Sequence, residues 1–155
     1  MNHNLEIILF QPQIPQNTGN IVRTCSVTGC SLTLITPLGF QTGDRQLKRA
    51  GLDYWKEVKI TEHEDLETYL LGGGRPFYFF SSKAEKLHYE IEYPENAQLV
   101  FGSETQGLPC QFHEKWPDRC VKIPMTANAR CLNLATSVGI GLYEAIRQNL
   151  QTHNY

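Results

Sequence analysis

At 155 residues, with 41% hydrophobic and 19% charged side chains, the chain has the balance of a globular protein rather than a disordered one. Its length suits a single domain over residues 1–155 and excludes two ordinary ones. A formal net charge of -2 gives no overall field that draws phosphate, so a nucleic-acid partner would need a local basic patch. No apolar run approaches the roughly 20 residues of a membrane span, and Met1–Glu6 does not read as a secretory leader. The cysteines, Cys25, Cys30, Cys110, Cys120 and Cys131, are odd in number and lack Cys-x-x-Cys spacing. That argues against a disulfide framework or a metal site and for a reducing cytoplasm.

Short apolar runs alternate with amphipathic segments, the pattern of an α/β fold with a mostly parallel sheet. Leu5–Phe10 reads as a buried strand, and Ile14–Asn17 as a loop entering a helix that ends near Gly29. Leu32–Ile35 is the next strand, followed by a turn at Pro37-Leu38-Gly39. Asp44–Ala50 reads as helical and Val58–Ile60 as a short strand. Thr61 with Glu64 has capping-box spacing, which starts a helix toward Leu71, and Gly72–Gly74 stops it. Phe77–Phe80, Gln98–Phe101 and Val121–Ile123 read as strands. A last helix begins near Asn133, with Ala135, Val138, Gly139, Leu142, Ile146 and Leu150 along its buried face. Ligands of parallel sheets bind at the carboxyl ends of the strands, which directs attention to the loops after Phe10, Phe80, Phe101 and Ile123.

Three of these stretches carry chemistry. Asn17-Thr18-Gly19-Asn20 opens a helix and can offer donors to a phosphate or hydroxyl, with Arg23 about one and a half turns further on; an ordinary capped helix with a surface arginine is the plainer alternative. In Gly102-Ser103-Glu104-Thr105-Gln106-Gly107, a strand runs into glycine, which lets a ligand approach the backbone. Leu108-Pro109 stands where a phosphate-binding P-loop needs Lys and Ser or Thr, and a tight turn with a solvated Glu104 explains the stretch equally well. In Ile123–Ala135, Asn133 suits a helix N-cap and Cys131 a small buried hydrophobe.

Taken in order, with Gly51-Leu52-Asp53-Tyr54 between the first two, these motifs resemble the SPOUT superfamily of RNA methyltransferases. They are most similar to its small tRNA wobble-position ribose methyltransferases, the TrmL type, over nearly the full length. The resemblance implies a parallel sheet with helices on both faces, a C-terminal trefoil knot of a kind rare among proteins, and a homodimer packed at its knots. Gly139 and Gly141, costly inside a helix, fit close backbone approach there. It implies S-adenosylmethionine bound against Phe80, Gly102, Ile123, Cys131 and Leu132, its adenine read by main-chain groups, with no metal. The family usually has serine where this chain has Cys131; a thiol donates weakly, and the intact Leu132-Asn133-Leu134 leads us to expect the change to be silent.

The resemblance also assigns catalytic roles to Arg23, Asn17, Glu104 and Asn133. A guanidinium stays protonated and cannot act as a base, so Arg23 is expected to hold a phosphate or stabilise alkoxide charge, with Glu104 fixing Arg23 or accepting the proton through water. Arg45, Lys48 and Arg49, with Lys56 nearby, are expected to contact tRNA phosphates, and Arg130 the anticodon stem-loop; Tyr143 is more readily a packing residue than an RNA contact. Another tRNA position, ribosomal RNA, or a non-catalytic RNA-binding relative are the alternatives.

Overall fold

A computed structural model describes residues 1–41 and 43–152, except the side chains of residues 51, 52, 151 and 152. Seven strands are present: β1 (Glu6–Phe10), β2 (Ser31–Ile35), β3 (Ile60–His63), β4 (Phe77–Phe80), β5 (Lys86–Leu87), β6 (Gln98–Phe101) and β7 (Cys120–Lys122). They form one sheet in the order β3-β2-β1-β6-β4-β7-β5, parallel at every pairing. An all-parallel sheet brings every strand's carboxyl end to the same edge, and helices must then cover both of its faces.

The helices are α1 (Pro15–Thr28), α2 (Arg45–Leu47), α3 (Asp53–Trp55), α4 (Leu66–Gly73), α5 (Cys110–Lys115) and α6 (Leu134–Thr152), with a π-helical turn at Lys48–Leu52 joining α2 to α3. Period-2 alternation sorts the strand residues between two cores. Leu5, Ile7, Leu9, Leu32, Leu34, Leu99, Phe101 and Val121 pack with Ile21, Val22 and Cys25 of α1 and Val138, Leu142 and Ile146 of α6. On the other face Ile8, Ile35, Phe77, Phe79 and Val100 meet Leu66 and Leu70 of α4 and Phe112 of α5.

Most elements lie where the sequence puts them, and the departures have local causes. β3 is not Val58–Ile60. It pairs with β2 from Leu32↔Ile60 to Ile35↔His63, through polar residues that apolarity could not mark. Thr61 therefore belongs to the sheet, where its Oγ1 lies 2.8 Å from Thr33 Oγ1. Asp65 caps α4 instead, accepting from the Thr68 N–H at 2.8 Å. The two-residue β5 and six-residue α5 are too short to show a period. The buried row of α6 is Leu134, Val138, Gly141, Leu142, Ala145 and Ile146; Leu150 is 45% exposed.

The far end of α6 is tied to the segment before β6. Gln148 Oε1 accepts from the Tyr93 N–H at 2.9 Å, and its amide nitrogen donates to the Ile91 carbonyl at 3.0 Å. Asn149 donates to the Tyr93 carbonyl at 3.1 Å. In mid-helix Gly141 is closely approached, by aromatic side chains rather than by the backbone expected there. A Cβ there would lie 2.6 and 2.8 Å from atoms of the Phe80 ring and 3.2 Å from Phe101 Cζ. Nothing lies within 4 Å of a Cβ built on Gly139. The Phe80 ring has little room to yield, being stacked on Phe101 at 4.5 Å between centroids. Gly141→Ala is therefore expected to lose about 1–3 kcal/mol through overpacking, read as a lower urea midpoint at unchanged m-value.

Candidate cofactor cleft and catalytic loops

At the carboxyl edge of the sheet the loops after β1, β4, β6 and β7 surround a cleft of about 560 Å³, within the roughly 300–1,000 Å³ usual for small-molecule sites. Phe80, Gly102, Ile123, Cys131 and Leu132 all line it, as do Asn17, Glu104, Asn133 and Arg130. Residues from four separate loops thus share one cavity because parallel pairing puts all four loops on one side.

Gly102 is required first by its own loop. A Cβ there would fall 2.3 Å from the Gly107 carbonyl carbon and 2.4 Å from the Leu108 nitrogen. The loop folds back through paired hydrogen bonds between Ser103 and Gly107, so the glycine serves this fold-back as well as any approach by a ligand.

A hydrogen-bond chain joins three of the four predicted catalytic residues. Glu104 accepts from the backbone N–H of Gln13 at 2.8 Å and of Ile14 at 3.0 Å, and from Asn17 Nδ2 at 3.3 Å. Asn17, only 6% exposed, in turn accepts through Oδ1 from Asn133 Nδ2 at 2.9 Å. Asn133 Oδ1 caps α6, accepting from the N–H groups of Ala135 and Thr136 at 2.9 and 3.2 Å. The entrance to α1 therefore carries the chain's own carboxylate, where the sequence suggested an open phosphate site. Each amide keeps a second N–H.

Arg23 stands apart from this chain and from the cleft lining. It is exposed on α1, its guanidinium 5.4 Å from the centre of the Tyr54 ring. Glu104 does not hold it, and it does not turn back toward the α1 entrance. Arg49 lines a shallower depression with Gln16, Asn20, Gln46 and Ala50, and Arg23 lies one turn beyond Asn20 on the same helix. The first turn of α1 separates this depression from the cleft. Arg45, Lys48, Lys56 and Tyr143 are exposed outside the cleft, so Tyr143 is not a packing residue of this chain's core. Of Gly51-Leu52-Asp53-Tyr54, the first two side chains lie outside the described residues.

The sequence did not single out Ser81, Lys83, His113 or Ser137, which also line the cleft. Their only signal was position, since Ser81 and Lys83 directly follow a strand end. Among the described residues no helix is long and apolar enough to cross a membrane, and no cluster of three or more His, Cys, Asp or Glu could hold a metal. All five cysteines are free thiols, and Cys131 is exposed in the cleft wall.

The profile of the SpoU rRNA Methylase family matches residues 4–143. The chain belongs to that family. It is 43% identical over 151 residues to a tRNA (cytidine(34)-2'-O)-methyltransferase of Yersinia pestis, covering 93% of each chain. A solved structure described as giving insights into the 2-OH methylation of C/U34 on tRNA superposes with a TM-score of 0.89 and is 42% identical, covering 96% of this chain and 98% of that one. The fold is also that of an AdoMet-bound rRNA methyltransferase from Sinorhizobium meliloti, at a TM-score of 0.83 and 24% identity over 95% of this chain and 57% of the other.

The amide-carboxylate chain sets a clear expectation. Glu104→Ala leaves the exposed Gln13 and Ile14 N–H groups to water and frees Asn17, and should cost about 0.5–1.5 kcal/mol; Asn133→Ala removes a helix cap and should cost about 0.5–2 kcal/mol. Since each variant also removes one of the two bonds that hold Asn17, that part of the loss is shared, and the double variant should lose somewhat less than the sum in a denaturation cycle. Strict additivity would mean that the chain does not act as a unit.

Proposed function

We propose that this chain transfers the methyl group of S-adenosylmethionine to the ribose 2′-hydroxyl of the wobble nucleotide of tRNA, a cytidine or uridine at position 34. The observation that carries the reading is the cleft at the carboxyl edge, with the Glu104–Asn17–Asn133 chain across its wall, in a protein so similar to enzymes named for this reaction. The cleft suits the donor. Its volume is ample, Phe80, Ile123 and Leu132 offer apolar walls for adenine, and the backbone around Gly102 offers polar main-chain groups.

Bound S-adenosylmethionine supplies a methyl group already activated by its sulfonium. The chain's own task is to orient a weakly acidic hydroxyl for in-line attack and to manage one proton. The second N–H groups of Asn17 and Asn133 are held in fixed directions beside the cleft and suit the oxygens of an acceptor ribose. Three N–H donors already occupy Glu104, so we assign it the fixing of Asn17 in preference to taking the proton. Arg23 rests on Tyr54 through a contact worth about 0.5–1 kcal/mol at exposed sites. A phosphate or developing alkoxide competes easily for that guanidinium. Arg45, Lys48, Arg49 and Arg130 are all exposed and free to meet RNA phosphates.

A homodimer fits the outer faces of α1 and α6. Val27 is 63% and Tyr143 49% exposed, and Gly139 has open space beyond it. In the dimer one protomer's Arg23 and basic face would serve its partner's cleft. We read the chain as one domain, with α6 threaded as the family's trefoil knot; its free thiols and tRNA substrate both suit the cytoplasm.

Incubation with labelled S-adenosylmethionine and tRNA lacking the modification should give a 2′-O-methyl group at position 34 by mass spectrometry. Methylation confined to another position would overturn the substrate assignment. Arg23→Ala should abolish turnover while S-adenosylhomocysteine still binds; retained turnover would remove Arg23 from the mechanism. Light scattering should give about twice the 17.7 kDa of one chain, and Tyr143→Asp should shift the mass toward the monomer.

A further inference from the structure

The wall of the cleft after β4 holds a polar pair that none of these roles uses. Ser81 Oγ lies 2.6 Å from His113 Nε2 of α5 and accepts from the Lys83 N–H at 3.2 Å. The turn that carries Ser81 is fixed by its backbone, for the Ser81 N–H donates to the Val121 carbonyl at 2.8 Å and its carbonyl accepts from the Ala84 N–H at 3.2 Å. The other ring nitrogen, His113 Nδ1, is buried and has no partner among the described residues.

The unpartnered Nδ1 favours one placement of the hydrogens. A hydrogen on Nδ1 would be a buried N–H without an acceptor among the described residues. Orphaned buried N–H groups are rarer in proteins than under-satisfied acceptors. The arrangement that avoids one places a hydrogen on Nε2, donated to Ser81 Oγ. A serine oxygen has two lone pairs and one hydrogen. In this arrangement both lone pairs are taken, one by His113 and one by the Lys83 N–H. The hydroxyl hydrogen has no acceptor among the described residues, and Ser81 lines the cleft.

We propose that Ser81 donates this hydrogen to an acceptor atom of the methyl donor bound in the cleft, and that His113 is a positioning residue that fixes the direction of the bond. The proposal rests on reading the cleft as the S-adenosylmethionine site. A hydroxyl oriented before binding loses little rotational freedom when the ligand arrives, and so returns more of its bond as affinity.

Calorimetry with S-adenosylhomocysteine tests it. Ser81→Ala should weaken binding about three- to tenfold, as expected for one neutral hydrogen bond, and Ser81→Thr, which keeps the hydroxyl, should restore most of it. His113→Leu should weaken binding to a similar degree, while His113→Gln, which retains an N–H donor in that region, should not. Because His113 acts through Ser81, adding His113→Leu to Ser81→Ala should cost nothing further. Unchanged affinity in Ser81→Ala, or additive losses, would overturn the proposal. Should Ser81→Ala fail to fold, His113→Leu against His113→Gln makes the same distinction, and equal affinities there would also overturn it. If the unaltered protein binds no S-adenosylhomocysteine, the reading of the cleft falls and the proposal falls with it. Loss of the Ser81 effect alone leaves that reading intact.

Discussion

The site depends on one amide, that of Asn17, held between a carboxylate and a second amide. Glu104 and Asn133 come from loops after different strands, and Asn17 from the first turn of α1. Asn133 is placed by capping α6, whereas Asn17 is held by both of the others at once. The carboxylate also gathers two backbone N–H groups just ahead of α1. A single acceptor thus sets the entry of a helix, the orientation of an amide and the course of the loop after β6. Hydrogen bonds are individually modest, but a connected set near a cleft wall specifies one arrangement among many.

The sheet supplies the setting in which that arrangement is possible. Parallel pairing collects the loops at one edge, and burial on both faces makes the strands stiff supports for them. Phe80 links support to site. It is stacked on Phe101, covered by α6 at Gly141, and still borders the cleft. Packing quality in the core and the shape of the cleft are consequently hard to separate, since a displaced Phe80 ring alters both.

Much of the fold was legible because strands buried on two faces announce themselves as apolar runs. β1, β4 and β6 were read almost residue for residue, as was the cap at Asn133. β3 was displaced because an edge strand with polar residues has no such run, and α5 was invisible because one buried Phe112 makes no period. The site was legible in a different way. Composition and spacing left the loops open to bland readings, and the family resemblance singled out the residues. What neither could supply was who touches whom. The bonds from Gln13 and Ile14 to Glu104 span about ninety residues, and such contacts leave no mark on either local sequence. The same holds for Ser81 with His113 and for Arg23 resting on Tyr54.

The position of α6 in the chain has a consequence for how the protein matures. The helix and its cap bring Asn133, the glycine that accommodates Phe80, and Leu134 and Ser137 of the cleft wall, all from a stretch that follows the seven strands in the chain. A nascent chain with every earlier strand in place would still lack a finished pocket and would leave the Phe80 ring uncovered. A finished cleft therefore arrives together with the docking of α6. Any ligand that the finished cleft binds would pull that docking equilibrium forward by mass action, so that occupancy of the cleft would also help complete the fold around it.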